Sequence, residues 1–172
     1  SILKIGQNIK YDIQILNNNG FGRVYPFDDT LLLSYTLSAG LHNHNLDFLV
    51  KKYLNHDKIK YKDIVGSGKK EINFSEVDIE KAKLYACEDA DFTLRIWKIL
   101  KSLIIKNKLL RVYENIEKPL VELVVKMEST GIKINKKRLE FLSESFLNQM
   151  KKLQDKIYLV SGSEFNINST KQ

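Results

Sequence analysis

The chain has 172 residues, of which 43% are hydrophobic, with a formal net charge of +7 and a pI near 9.3. This length allows one domain and part of another. Its single cysteine excludes a disulfide scaffold and fits a reducing cytosol. No apolar run approaches the roughly 18 residues of a membrane span, so we expect a soluble protein without a membrane partner. The basic charge suits a polyanionic partner, although lysines that merely solvate helix faces would produce the same charge.

The first predicted elements are a strand and a helix. Residues 2–5 are typical of a buried strand, and the following segment has helical periodicity, with Asn8 as an N-cap and Gly20 beyond its end. Asp12 lies inside the apolar stripe of this helix. The stripe consists of Ile9, Ile13 and Leu16. A carboxylate on an apolar face is costly unless a cation compensates it.

Shorter elements follow in the next part of the chain. The pattern predicts a strand at 22–25 and helices at 29–37 and 46–53. The run His42-Asn43-His44-Asn45 between these helices invites a metal hypothesis. No cysteine or carboxylate arrangement completes a zinc pattern there, which argues against a metal site.

A long helical pattern with one break runs from Ser75 to about Leu110. Asp89 falls on its apolar face, and Tyr85 lies four residues earlier, so the phenol and the carboxylate point the same way. The stripe is formed by Ala82, Tyr85, Ala86, Asp89, Thr93, Ile96 and Leu100. Carboxylates on the apolar faces of separate helices predict a shared metal site. The alternative is that each aspartate caps a loop or pairs with a lysine.

The last part of the chain is predicted to be helical. Pro119 suits a first helical turn, and Gly131 ends that helix. Asn135 caps a final helix with an exposed apolar stripe that needs a partner. The residues expected to face inward on the earlier helix are Leu120, Leu123, Val124 and Met127.

Three segments carry a family resemblance. The motifs GQNIKYD (6–12), FDDTLLLSY (27–35) and YACEDAD (85–91) resemble the proofreading 3′–5′ exonuclease domain of family A polymerases, the bacterial DNA polymerase I family. Segments further along the chain are similar to the opening of the polymerase domain in the same family. Those segments are 114–120, 131–134 and 164–172. The resemblance therefore covers essentially the whole chain.

The resemblance implies an α/β fold in two parts. Residues 1–112 would form the C-terminal part of a ribonuclease H-like exonuclease domain, truncated at its N-terminus, and residues 113–172 the mainly helical start of the polymerase domain. The family's first motif, Asp-x-Glu on an early strand, supplies two of its four metal-site carboxylates, whereas no acid precedes Asp12 here. Asp78-Ile79-Glu80 matches the Asp-x-Glu pattern, but its place in a first helical turn indicates that these acids cap the helix. We therefore expect half of a metal site and no DNA cleavage by this fragment alone.

The resemblance also implies the chemistry of the site. Family members hydrolyse phosphodiesters with two divalent ions, Mg²⁺ or Mn²⁺. Asp12 and Asp89 match metal-binding catalytic aspartates, and Tyr85 matches the tyrosine that orients the attacking water. The positions that match DNA-contacting residues are Gln7, Asn8, Tyr11 and Tyr61.

The parent protein implied by this resemblance is a DNA-directed DNA polymerase of replication and repair. It would excise mispaired nucleotides from a single-stranded or frayed 3′ primer end, bind deoxynucleotides in its polymerase domain, and act as a monomer in the bacterial cytoplasm at the nucleoid. One alternative is a non-catalytic, exonuclease-like scaffold that only binds nucleic acid. Another is an RNA-trimming relative, against which the polymerase-like segment 114–172 argues.

Overall fold

The computed structural model describes residues 2–68 and 71–169, which form compact units that divide between Thr130 and Gly131. It is mostly helical, with a small sheet. The elements of the first unit are β1 (Lys4–Gly6), α1 (Ile9–Asn18), β2 (Phe27–Asp29), α2 (Thr30–Ser38), α3 (Leu46–Leu54), α4 (Tyr61–Val65), a 3₁₀ turn (Phe74–Glu76), α5 (Ile79–Lys106), α6 (Leu110–Val112), a π-helical stretch (Tyr113–Glu117) and α7 (Lys118–Thr130). The second unit contains α8 (Lys136–Ser161). In the described ranges, no helix combines the length and apolarity needed to cross a membrane.

The sheet is a parallel pair in which Lys4 of β1 lies opposite Phe27 of β2. Parallel strands require a crossover connection, and α1 lies in it. The prediction of a strand at 22–25 is wrong. The ladder begins only where the Lys4 N–H donates to the Pro26 carbonyl at 3.0 Å, while Arg23 instead pairs with Glu122 of α7 at 2.8 Å.

The Asp29 carboxylate caps two helices at once. Its oxygens accept the backbone N–H groups of Asn8 and Ile9, each at 3.0 Å, at the start of α1, and that of Leu31 at 2.8 Å in α2. Helix starts leave such N–H groups without partners. Asn8 takes the predicted N-cap position, but its left-handed backbone (φ 59°) leaves its side chain without a capping hydrogen bond. Burial raises the pKa of Asp29, and these donors oppose the rise.

Next to it, the Asp28 carboxylate is 2% exposed and joins β2 to later helices. One oxygen accepts hydrogen bonds from the Trp97 indole at 2.9 Å and Lys101 at 3.1 Å. The other accepts the Tyr113 hydroxyl at 3.1 Å and lies 2.9 Å from the Lys118 ammonium. Burial alone would raise the pKa of Asp28, but hydrogen bonds from Lys118, Trp97 and Lys101 outweigh it and hold that pKa below its usual range.

The main core lies between α2, α3 and α5. Its buried members are Leu33, Leu46, Leu49, Val50, Phe92, Ile96, Leu100, Ile104 and Tyr113. The predicted stripe of α5 is confirmed only in its C-terminal half, where Thr93, Ile96 and Leu100 are buried. Ala86 is exposed, because the core begins only one turn after Asp89.

A smaller core forms where α7 packs on α1. It contains Ile9, Ile13, Phe27, Val121 and Val125. The predicted inward face of α7 is wrong, because Leu120, Leu123 and Met127 are 44%, 52% and 62% exposed. This helix carries apolar residues on more than one face, and its partner α1 selects Val121 and Val125.

The second unit is an extended helix with a short tail. Asn135 caps α8 as predicted, its side chain accepting the Arg138 N–H at 3.0 Å. Within the tail, the Tyr158 hydroxyl donates to the Phe165 carbonyl at 3.0 Å. Of the residues described in this unit, none is buried, so the apolar stripe of α8 stays exposed. Residues 170–172 of the last polymerase-like segment lie outside the described residues.

We expect Asp28→Asn to lower the free energy of unfolding by about 3 kcal/mol, because it removes the buried carboxylate charge that the Lys101 and Lys118 ammonium groups share and leaves them Glu114 alone. Urea unfolding at neutral pH measures this. Asp91→Asn is the matched control, since Asp91 pairs with Arg95 on the helix surface and should cost no more than about 0.5 kcal/mol. Equal effects of the two substitutions would contradict the central role of Asp28.

The same pair of proteins gives a pH prediction. Because the folded state lowers the pKa of Asp28 below 3.8, its contribution to stability is complete above the unfolded value and disappears as pH falls through the folded value. The stability difference between wild type and Asp28→Asn should therefore narrow from pH 6 towards pH 3. Urea midpoints across this range test it, and a difference that widens on acidification would contradict it.

Candidate active site

A cavity of about 520 Å³ opens where β1, α1, α3 and α5 meet. It brings together four of the residues predicted from the sequence, from both ends of the exonuclease-like segment. The lining residues are Ile5, Gly6, Gln7, Asp12, Leu46, Asp47, Lys58, Tyr85, Asp89, Ala90 and Thr93. Three carboxylates, one ammonium and one phenol therefore share this space.

Asp12 reaches the cavity from α1. The helix buries Ile9 and Ile13 on the side that packs inward, whereas Asp12 as a whole residue is exposed. The expectation that Asp12 lies within the buried stripe is therefore wrong, because it lines the open cavity beside the core. Partial burial of its carboxyl still raises the pKa of Asp12, against one backbone hydrogen bond that lowers it.

Asp89 and Tyr85 reach the cavity from one face of α5. The Oδ1 atom of Asp89 is buried, and the Lys58 ammonium forms an ion pair with it at 2.7 Å. Burial, together with the Asp89 charge, raises the pKa of Tyr85 to about 12. The phenol therefore stays protonated at neutral pH and is able to donate a hydrogen bond.

Lys58 is the cation of the cavity. Its side chain is 4% exposed, and its ammonium lies 2.7 Å from Asp89 and 3.2 Å from Asp47 at the start of α3. It also donates to the Ile59 carbonyl at 3.0 Å and lies 4.9 Å from the centre of the Tyr85 ring. Burial opposes its charge, but the two carboxylates outweigh burial and raise the pKa of Lys58.

Lys58 and Asp47 were not predicted as site residues. The alternative that each aspartate pairs with a lysine describes Asp89 in this structure, but the sequence gives no signal for which lysine. Glu88 holds the relevant loop, because its carboxylate accepts the Ile59 N–H at 2.8 Å and lies 3.5 Å from the His56 imidazole. Glu88 of the YACEDAD motif thus holds the loop that places Lys58 beside Asp89 of the same motif.

The predicted DNA-contacting residues occupy different places. Gln7 lines the cavity, with its amide fixed by donation to the His44 carbonyl at 2.9 Å and by the Thr30 hydroxyl at 2.6 Å. Tyr61 is 50% exposed, and its ring centre lies 6.2 Å from that of Tyr85. Asn8 and Tyr11 lie outside the set of described residues that line the cavity, and Tyr11 is 62% exposed.

The histidines between α2 and α3 act as scaffold. His44 shares a 2.8 Å hydrogen bond with the Ser34 hydroxyl, and the His42 ring stacks on Phe48 at 4.7 Å between centres. Asp78 of the Asp-x-Glu sequence caps α5, accepting the Glu80 N–H at 3.2 Å. This agrees with the interpretation of that sequence as a helix cap.

The donor set of the cavity fits a hard divalent cation in its chemistry. Carboxylate oxygens are the ligands that Mg²⁺ and Mn²⁺ prefer, and the buried Oδ1 of Asp89 has the Lys58 ammonium at 2.7 Å as its positive partner. The number of ligands is smaller than a complete site requires. Across residues 2–68 and 71–169, no three histidine, cysteine, aspartate or glutamate side chains converge closely enough to hold one ion.

Comparison with known proteins places this geometry in a family. Residues 1–105 match the family model described as 3′–5′ exonuclease. DNA polymerase I of Rhizobium leguminosarum is 44% identical over 172 residues, which are 100% of this chain and 17% of that protein. DNA polymerase I of Borreliella burgdorferi is 36% identical over 168 residues, covering 98% of this chain and 18% of that protein. The chain thus spans a minor part of the length of these relatives.

A solved structure supports the fold. The chain matches the POL domain of Pol1 from M. smegmatis, in complex with DNA primer-template and dNTP, with a TM-score of 0.69 and 22% identity. The match covers 98% of this chain and 26% of that one. The likeness concerns the fold alone, while the match over residues 1–105 gives the family. This chain belongs to the 3′–5′ exonuclease family of the family A DNA polymerases.

Proposed function

We propose that this chain is a segment of a DNA polymerase I, and that Asp12, Tyr85 and Asp89 belong to the 3′–5′ exonuclease site of the parent protein. The observation that carries the proposal is that these side chains, one from α1 and two from α5, line one cavity together with Gln7. The relatives named DNA polymerase I match the chain from end to end, which supports a segment of the same enzyme.

In this proposal each side chain has a distinct task. Asp12 and Asp89 would hold divalent ions, which would supply an activated water and stabilise the leaving 3′ oxygen. Tyr85, protonated because its pKa is about 12, orients the attacking water by hydrogen bonding. Gln7 lies where its fixed amide meets the terminal nucleotide, with Asn8, Tyr11 and Tyr61 on the surface that receives the frayed strand.

The proposed architecture has a ribonuclease H-like exonuclease part in residues 1–112 and a polymerase start in residues 113–172. The π-helical stretch and α7 of the second part pack against β2 and α1, as the contact of Tyr113 with Asp28 indicates. We propose that an Asp-x-Glu motif elsewhere in the parent completes the metal site. This is why we expect the isolated fragment to be inactive.

The parent would bind a DNA primer end and deoxynucleotides, and would work as a monomer at the nucleoid in the cytoplasm. The second candidate function is a non-catalytic scaffold that binds nucleic acid. The formal net charge of +7 favours this candidate, since a basic chain attracts nucleic acid whether or not its cavity is catalytic. Removal of single carboxylates separates the two functions.

We expect Asp12→Ala and Asp89→Ala, each made in the full-length protein that carries this chain, to reduce trimming of a mismatched 3′ primer end by at least ~10³-fold, since each removes a proposed metal ligand. Primer extension should be unchanged. The assay is Mg²⁺- or Mn²⁺-dependent shortening of a labelled primer without nucleotides. Asp91→Ala, an exposed aspartate on the same helix, is the control. A wild-type protein that extends primers and never trims them would establish the scaffold function instead.

We expect Tyr85→Phe to lower the trimming rate about a hundredfold, because the water loses its hydrogen-bonding partner and its alignment. Primer binding should change less than twofold, since the ring and its contact with Tyr61 remain. Single-turnover trimming and fluorescence anisotropy of a labelled primer measure the two quantities. A loss of binding equal to the loss of rate would assign Tyr85 to packing alone.

A further inference from the structure

We infer that Lys58 is a built-in counter-ion that competes with a divalent cation for Asp89, and that Asp47 is the carboxylate to which Lys58 withdraws when the cation binds. This inference rests on the proposed function, since it takes Asp89 as a metal ligand. It concerns residues outside the exonuclease motifs, and it assigns them control over metal affinity.

The Lys58 ammonium and a cation bound to Asp89 would occupy the same space. The Lys58 ammonium lies 2.7 Å from the buried Oδ1 of Asp89, within the space that a cation ligated by this oxygen would need. Mg²⁺ binds carboxylate oxygens at about 2.1 Å, so the ammonium and the metal cannot share that side of Asp89. Their like charges also repel one another at this short distance.

Lys58 is held within the cavity. A lysine is free to leave an exposed ion pair, but the Lys58 side chain is 4% exposed, and the backbone of its loop is fixed by the hydrogen bond from Ile59 to Glu88. Withdrawal into solvent would require this loop to open. The ammonium therefore stays in the cavity, where an unpaired charge would be costly.

Asp47 offers Lys58 a second carboxylate. Asp47 lies 3.2 Å from the same ammonium, and its side chain is 45% exposed at the start of α3. A small rotation of the flexible lysine stem moves the ammonium from between Asp47 and Asp89 towards Asp47. Asp89 then becomes free for the metal while Lys58 keeps a charge partner. Without metal, the lysine neutralises the Asp89 carboxylate and holds it in place.

The test is Mn²⁺ binding to the full-length protein, followed by the electron paramagnetic resonance signal of free Mn²⁺. Lys58→Met keeps the apolar stem and removes the charge, so we expect the Kd to fall about tenfold, the effect of removing one nearby positive charge. Lys51→Met is the matched control. It removes the same charge from an exposed pair with Asp57, and the Kd should change less than twofold.

Asp47→Asn is expected to change Mn²⁺ affinity in the opposite direction. The Asp47 side chain is 45% exposed, so misfolding of this variant is a small risk. It leaves Lys58 with Asp89 alone, so the Kd should rise. This rise should be at least ~threefold larger in the wild-type background than in Lys58→Met, because part of it acts through the lysine. Equal effects of Asp47→Asn in both backgrounds would overturn the role of Asp47 as the second position of Lys58.

Asp12→Asn separates this inference from the proposed function. If neither Asp12→Asn nor Asp89→Asn weakens Mn²⁺ binding, the cavity holds no metal, and both the proposed site and the counter-ion role fail. If Asp12→Asn weakens binding but Lys58→Met changes it no more than Lys51→Met does, the proposed site stands and the counter-ion role is overturned. Circular dichroism of each variant confirms that the fold is retained.

Discussion

The structure of the first unit depends on two adjacent buried carboxylates at the end of β2. Asp29 satisfies the free N–H groups at the starts of α1 and α2. Asp28 binds an indole and an ammonium group of α5, the phenol of Tyr113 in the π-helical stretch, and the ammonium group at the start of α7. Two neighbouring residues of a strand point to opposite sides of the sheet. One dipeptide is therefore able to fix the helix that carries Asp12 and the helix that carries Asp89.

This arrangement explains why charged groups serve where apolar packing would be simpler. A buried ion network contributes less to stability than its number of contacts suggests, since each charge loses its hydration. Its value is directional, because a carboxylate that lacks any one of its donors is costly. The network thus restricts the relative positions of β2, α5 and α7 more sharply than a few aliphatic contacts would. Because α5 also lines the cavity, its cavity-lining residues are positioned by the same network.

Sequence reasoning predicted the elements whose signals are local. Periodicity and capping preferences gave α2, α3 and α8 closely, and motif order suggested which residues meet in the cavity. It missed contacts between distant segments. No pattern near Asn8 reveals that Asp29 caps its helix, and nothing around Lys58 points to Asp89, 31 positions away. The inward face of α7 was mistaken for a related reason, because its partner, rather than its own apolar residues, decides which side is buried.

The long helix α5 has a consequence for how such proteins change over evolutionary time. Its residues before Phe92 carry Tyr85, Glu88 and Asp89, whereas its buried residues begin at Phe92 and continue to Ile104. The cavity-lining residues and the core residues therefore occupy consecutive stretches of a single helix with little overlap. Under the proposed function, substitutions of Tyr85 or Asp89 would change the activity while the second stretch preserves the fold. A related protein that has lost the activity would still fold and would still pack against the neighbouring domains of its chain.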